Sequence, residues 1–278
     1  MTQRVPRFWG IHARPGPVWR RVLAALPFLL VIGLYLAASD ARHRENPSDK
    51  ILPSFTQMGQ AIKRMAFTPD RRTGEYLMVK DTAASLKRLL TGAALAALVG
   101  LLLGLNMGLF QGMGGTFNPF ITTVSMVPPL SILPILFIAL GVDELAKISL
   151  IFLGTFPVIS RDVYLATRKI PQEQITKALT LGASQLAIAY RILLPQILPR
   201  LIDTVRLTLG AAWLFLIAAE AIASTDGLGY RIFLVRRYLA MDVILPYVAW
   251  ITLLGFTMDW LLRALLRWRF SWYLVAKD

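Results

Sequence analysis

Six stretches of this 278-residue chain are apolar over close to 20 residues or more, at 22–39, 83–109, 117–140, 145–165, 201–224 and 243–266. A helix rising 1.5 Å per residue needs about 20 residues to cross roughly 30 Å of hydrocarbon. Lipid offers the backbone no hydrogen bonds, so each such run has to satisfy its own N–H and C=O groups, which a helix does within one segment. The composition agrees: 56% of residues are hydrophobic and 17% charged, whereas soluble domains sit near 45–50% and about 25%. The chain therefore reads as an all-α membrane protein with six transmembrane helices.

The net charge of +14 does not indicate nucleic acid, because most Lys and Arg flank the apolar runs, where they anchor helix ends. Arg4, Arg7, Arg14, Arg20 and Arg21 precede the first run; Arg263, Arg267, Arg269 and Lys277 cluster at and beyond the end of the last. Both termini are thus expected on the cytoplasmic side, which requires an even number of spans. The domain plan that follows has a cytoplasmic Arg-rich tail at 1–21, a first transmembrane helix and extracytoplasmic loop at 22–82, a core at 83–272, and a short cytoplasmic tail at 273–278. The connection at 225–242 carries Arg231, Arg236 and Arg237, too basic for an outer loop, and is the weakest point of this plan. The Arg-rich start has Pro6, Pro15 and Pro17 and leads into a full-length span, so the first run reads as a retained helix rather than a cleaved signal. With no cysteine, and with only His12 and His43 in polar flanks, thiolate and clustered-histidine metal sites are excluded.

Between the fourth and fifth runs lies ITKALTLGASQLAIAYRILLPQILP (175–199), too polar and punctuated to cross a bilayer. It reads as two short helices broken at Gly182, where glycine permits a sharp turn, and closed off by Pro195 and Pro199. Flanked by Arg168, Lys169 and Arg200, it falls on the cytoplasmic side. Ile175, Ala178 and Leu179 share one face of the first helix; Leu186, Ala189 and Leu193 share one face of the second. Such apolar stripes fit a partner's groove; the alternative is an amphipathic segment resting on lipid headgroups. No G-x4-G-K-[ST] loop occurs, so nucleotide energy would have to come from a partner.

From Ala178 the pattern is A-x3-G-x9-I-x-L-P, on Ala178, Gly182, Ile192, Leu194 and Pro195. This resembles the cytoplasmic loop of ABC-importer permeases, E-A-A-x3-G-x9-I-x-L-P, with Thr176 and Lys177 replacing the family's Glu and first Ala. The stretches MVPPLSILPILF (126–137), GVDELAK (141–147) and AAEAIASTDGLGY (218–230) look like the nitrate/sulfonate/taurine branch. The 45–65 region resembles a subgroup associated with urea and guanidine use. The resemblance implies a type I importer-like fold with a coupling-helix loop at 168–200, in the bacterial inner membrane. It implies a homodimer of permeases, ABC ATPase subunits carrying ATP and Mg, and a periplasmic solute-binding protein. This chain itself would hold no cofactor and catalyse no hydrolysis. Thr176, Lys177, Ala178, Gly182, Ile192, Leu194 and Pro195 would then couple it to the ATPase. The solute would be a sulfonate, a nitrate-like anion, or a urea- or guanidine-type nitrogen compound.

Within the spans, Pro128, Pro129 and Pro134 remove backbone hydrogen bonds and should bend or break the third helix. Such breaks survive in a membrane where protein or a water-filled cavity satisfies the freed carbonyls, which makes these prolines, with Ser125 and Ser131, candidate pathway residues. Glu220 is a further candidate, because intramembrane acids usually face a bundle interior; pairing with Arg206 or a neighbouring helix end is its structural alternative. For Asp259, Arg263 one turn on offers an i,i+4 partner. A gradient-driven carrier using Glu220 and Asp259 is the competing function, and it leaves the 175–199 loop unexplained. Gly100, Gly104 and Gly108, with Gly92 two turns earlier, form a small-residue ridge suited to close helix packing.

Overall fold

The computed structural model describes residues 16–46, 49–71 and 73–275. Residues 1–15 of the expected N-terminal tail and 276–278 of the C-terminal tail lie outside the described residues. Among the described residues the structure is helical throughout: α1 (Pro17–Glu45), α2 (Phe55–Ala66), α3 (Leu77–Leu109), α4 (Gln111–Met126), α5 (Leu133–Leu140), α6 (Glu144–Arg168), α7 (Gln172–Thr180), α8 (Gln185–Ile188), α9 (Leu194–Ile222), α10 (Leu228–Arg236), α11 (Met241–Arg269) and α12 (Ser271–Val275). Five helical stretches are long and apolar enough to cross a membrane, and a sixth crossing results if α4 and α5 count as one broken span.

That broken pair is the proline-rich third run. Helix α4 stops at Met126, Pro129–Ile132 form a 3-10 turn, and α5 leaves at 83° to α4. Pro128 and Pro129 cannot donate to the preceding turn. The Pro128 carbonyl is instead taken by the backbone N–H of Ser131 at 3.0 Å and by its hydroxyl at 2.7 Å.

The bundle is organised around α3 and α6, and the glycine ridge is the reason they lie so close. A methyl group at Gly92 would sit 2.8 Å from the Ile151 side chain, at Gly100 2.7 Å from Ile159, and at Gly104 2.5 Å from the Ser160 carbonyl oxygen. At Gly108 it would meet the Thr167 side chain. Absent side chains let the two backbones approach, and the ridge is consumed inside one protomer. Gly104→Val is therefore expected to destabilise the protein by about 1–3 kcal/mol, the usual cost of overpacking. Gly112→Ala, where nothing lies within 4 Å, should leave thermal unfolding unchanged or slightly improved.

Two apolar clusters fill the bundle. One, around Leu89, Ile151, Leu216 and Tyr247, lies toward α10; the other, around Ala96, Ile159, Ile188 and Leu193, lies toward α7 and α8. Helix α1 stands apart from both: only 6% of its most apolar window is buried. It is tied at its end, where the Tyr35 hydroxyl donates to the Pro53 carbonyl at 2.6 Å and Ser39 to that of Leu52 at 3.0 Å.

The N-terminal part of the chain departs from the sequence plan in three places. Helix α1 begins at Pro17, inside the segment read as tail, and α3 begins at Leu77, a turn and a half before residue 83. The segment read as a plain loop between the first two spans contains α2, whose Ser54 accepts from the Gln57 backbone N–H while the Gln57 side chain accepts from that of Ser54, a capping box that starts the helix.

Candidate functional site: a docking loop and a buried charge cluster

The 175–199 loop is built by local chain chemistry. Helix α7 ends in a Schellman motif: Gly182 adopts φ +79°, its N–H donates to Leu179 O at 2.9 Å, and the Ala183 N–H reaches back to Ala178 O at 3.0 Å. The left-handed position suits glycine. Two residues on, the Ser184 hydroxyl accepts from the Ala187 N–H at 3.2 Å and starts α8.

The second half differs from the sequence reading. Pro195 and Pro199 do not close it off. A π-helical turn, Ala189–Leu193, links α8 to α9, so helix runs from Gln185 to Ile222 as one 38-residue unit. Pro195 falls in the first turn of α9 and Pro199 inside the helix; the wider turn holds Arg191, four residues before Pro195, and gives room for that ring where a tight α-ladder would clash. Residues 185–194 are therefore a rigid extension of the span rather than a separate helix.

The apolar stripe is also divided differently. Ala178, Ala189 and Leu193 point into the bundle with Ile188 and Ile197, and are not offered to a partner. The exposed apolar residues are Leu179, Leu181, Leu186 and Tyr190, with Leu181 88% exposed at the tip. Thr176, Lys177 and Gly182 are exposed, Ile192 and Leu194 half-buried, Pro195 exposed. The Gln196 amide clips the two halves, donating to Gln174 Oε1 at 3.1 Å and Ile192 O at 3.0 Å. Beneath the loop, Arg200 holds Asp162, with Nε at 2.7 Å from Oδ2. Arg206 bridges Asp203 and Asp259, each at 2.7 Å, and Asp259 also holds Arg263 at 2.8 Å, the i,i+4 pair expected from sequence.

At the opposite end of the bundle lies a cluster that sequence reasoning saw only in part. Asp81, Ser85 and Arg88 lie at i, i+4 and i+7, on one face of α3. All five guanidinium N–H donors of Arg88 find acceptors. Nε and Nη2 grip Glu144 at 2.7 and 2.6 Å. Nη1 donates to Glu220 Oε1 at 2.7 Å and to the Asp226 carbonyl at 3.1 Å, and Nη2 also reaches the Asp226 carboxylate. Glu220 is fully buried; it accepts from the Ser85 hydroxyl at 2.8 Å and the Gly229 N–H at 2.9 Å.

Asp81, equally buried, receives Arg231 at 2.8 Å, the Tyr247 hydroxyl at 3.1 Å and the Gly227 N–H at 3.1 Å. Leu228 N–H donates to Ser85 Oγ at 2.8 Å. The amides of the N-cap Gly227 and of the first two residues of α10 are thus each met by a side chain, two of the three acceptors being carboxylates, where the helix dipole favours negative charge. Gly227 is required there: its φ is +113°, and a methyl group would strike the Glu220 carboxylate at 2.5 Å.

Glu220 is paired with Arg88 and a helix end, not with Arg206. Its hydrogen-bond partners are Ser85, Arg88 and Gly229; the α4–α5 break carries Ser125, Pro128, Pro129, Ser131 and Pro134, with Pro128, Ser131 and Pro134 exposed and Ser125 and Pro129 half-buried. Arg231 explains the basic character of the 225–242 connection in part. Burial works against its charge, but Asp81 outweighs this and holds the guanidinium above its ordinary pKa. An internally neutralised arginine carries little weight in a count of loop charges. The signal that could have found the cluster was the D-x3-S-x2-R spacing entering an apolar run.

Residues 83–270 match the family described as binding-protein-dependent transport system inner membrane component. The taurine transport system permease protein TauC of Escherichia coli (strain K12) is 36% identical over 69% of this chain and 70% of its own length. The bicarbonate transport system permease protein CmpB of Synechococcus elongatus is 30% identical over 88% and 87%. The fold is similar to a chain of the MetNI methionine ABC transporter in an inward facing conformation, with a TM-score of 0.61 at 19% identity, covering 71% of this chain and 98% of that one. The chain belongs to the binding-protein-dependent transport system inner membrane components: it is a multi-pass ABC-transporter permease, a transport subunit and not itself an ATPase.

Proposed function

We propose that this permease carries a small oxyanion-bearing solute inward and is driven by a separate ATPase docked on the 175–199 loop. The observation that carries the coupling role is the division of that loop. Ala178, Ile188, Ala189 and Leu193 are fixed in the core, while Leu179, Leu181, Leu186 and Tyr190 form an exposed apolar ridge. A push on Leu186 or Tyr190 reaches α9 without an intervening hinge, because α8, the π turn and α9 are one continuous helix, while Leu179 and Leu181 lie across the Gly182 turn. Rigid-body motion of packed spans is the expected response. With this loop cytoplasmic, α2 and α10 lie on the outer side and both termini lie inside, as a binding-protein-dependent importer in a bacterial inner membrane requires. Thr176 and Lys177 then border the docking face, and the family's acidic contact is replaced by a positive one.

The solute class rests on the relatives named for taurine, aliphatic sulfonates and bicarbonate, which share a compact oxygen-rich group. The α4–α5 break supports a pathway wall at Ser125, Pro128, Pro129, Ser131 and Pro134, since irregular backbone at membrane depth persists where it lines protein or water. Glu220 is assigned instead to holding α3, α9 and α10 together, since its carboxylate is fully engaged. Two copies of the chain, two ATPase subunits and a binding protein complete the assembly.

The test is uptake in cells expressing the chain with its ATPase and binding protein, comparing radiolabelled taurine, an alkanesulfonate, bicarbonate and guanidinium. Uptake of one of the first three should vanish with an ATPase-dead partner and survive collapse of the proton gradient. Guanidinium as the preferred solute would overturn the oxyanion assignment while leaving ATP coupling in place.

A further inference from the structure

On the face of α3 turned away from the charge cluster, α2, α3 and α11 enclose a groove of about 690 Å³ lined by Ala66, Phe67, Val79, Leu86, Ala249 and Leu253 among others. Its polar side chains are already used. The Thr82 hydroxyl donates to Met78 O at 2.6 Å and accepts from Trp250 Nε1 at 2.9 Å, so the lining keeps no side-chain donor for a hydrophilic solute. An apolar occupant is indicated.

Three observations say which. The α3 wall runs from Met78 to Leu86, nine residues with a rise of about 12 Å. That is close to one leaflet's share, roughly 15 Å, of the hydrocarbon thickness, and far short of what a partner's spanning helix would need. The groove opens beneath α2, a short helix that buries Ala61 and Met65 and carries Lys63 and Arg64 in its last turn, the arrangement of an interfacial helix. Lys63 is exposed and precedes Ala66 of the lining by three residues, which sets the two residues side by side on α2. Arg64 is half engaged, with Asp242 at 3.6 Å.

We propose that this groove holds an acyl chain of an outer-leaflet anionic phospholipid whose headgroup is bound at Lys63. The inference rests on the membrane orientation given above. One lysine near a membrane surface contributes about 1 kcal/mol toward an anionic lipid, or about fivefold in affinity.

Trp250 lies in the groove and reports on it. The full chain would be reconstituted in phosphatidylcholine vesicles doped with phosphatidylglycerol brominated on its chains. Trp250 quenching would be taken as the difference between the parent and Trp250→Phe. The expected result is quenching at mole fractions of the brominated anionic lipid about fivefold below those needed with brominated phosphatidylcholine. Lys63→Gln should abolish that difference. Ala249→Phe, which fills the groove, should remove the quenching while circular dichroism stays unchanged. Equal quenching by both lipids would mean ordinary annular contact and overturn the proposal. So would protection from both lipids together with disulfide formation between copies bearing Ala249→Cys, which would assign the groove to a second protomer. Failure of the ATP-coupling test would not alter these outcomes, so the two readings fall separately.

Discussion

Arg88→Ala is expected to cost about 3–5 kcal/mol of stability, the range for removing one partner of a buried charge network. Few side chains in the molecule have as much dependent on them: the guanidinium answers Glu144, Glu220 and Asp226, from the start of α6, the end of α9 and the turn before α10. Without it, Glu220 keeps the Ser85 and Gly229 bonds but loses its cation, and of the two further carboxylates Glu144 keeps Lys147 at 3.5 Å. Thermal unfolding in detergent, read alongside the amount of protein in the membrane, measures the loss. Arg88→Lys should recover only part of it, because a lysine has three donors and no planar fork to match five acceptors. Glu220→Gln keeps the shape and should cost less, about 1–3 kcal/mol. A parent-like Arg88→Ala would remove the cluster from any account of how these elements are held.

The ordering of these effects follows from what the cluster does with α10. The N–H groups of its N-cap Gly227 and of its first two residues, Leu228 and Gly229, are aimed at Asp81, Ser85 and Glu220. Burying an uncapped helix start costs as much as burying other unpaired donors. The acids that look out of place in apolar sequence are thus the caps of a short outer helix, and Arg88 and Arg231 are what make those acids tolerable. This also removes the need for Glu220 to bind a coupling ion, consistent with family membership in ATP-driven systems.

How legible this was depended on whether the determining interactions are local. Span lengths, the break at the prolines, the Gly182 turn and the Asp259–Arg263 pair follow from neighbours within a few residues, where hydropathy, ring geometry and i,i+4 spacing act. The glycine ridge was visible as a spacing, and the contact it serves, α6, was the simplest one available. What sequence could not supply was pairing across 132 to 150 residues, as between Arg88 and Glu220 or Asp81 and Arg231. Arg206 was a natural guess for Glu220 because it is near in sequence, but nearly four turns of α9 separate them, and α3 supplies the closer cation. The docking stripe was misdivided for a related reason. A period of 3.6 identifies an apolar face, but α7 and α8 have two such faces, and only the position of the bundle decides that Ala178 and Leu193 turn inward while Leu181 turns out.

That outward leucine carries the second large effect. Leu181→Asp is expected to abolish ATP-driven uptake while shifting stability by no more than about 0.5 kcal/mol, because an 88%-exposed side chain supports none of its own fold. If Leu181 fills a pocket on the ATPase, as an interface anchor does, its replacement by a charge should cost at least about 2 kcal/mol of binding, roughly thirtyfold in affinity. Co-purification of the ATPase with the tagged permease, titrated against ATPase concentration, reads that loss directly. Leu193→Ala provides the inverse case. Leu193, twelve residues on, is fully buried, so its truncation should lower stability by about 2–5 kcal/mol, and whatever folds should still bind the ATPase. Together the pair separates a surface that transmits force from the core that anchors it. Normal uptake and normal ATPase retention in Leu181→Asp would leave the ridge as an apolar face lying among lipid headgroups, and the partner's footprint would then have to be sought at Thr176 and Lys177.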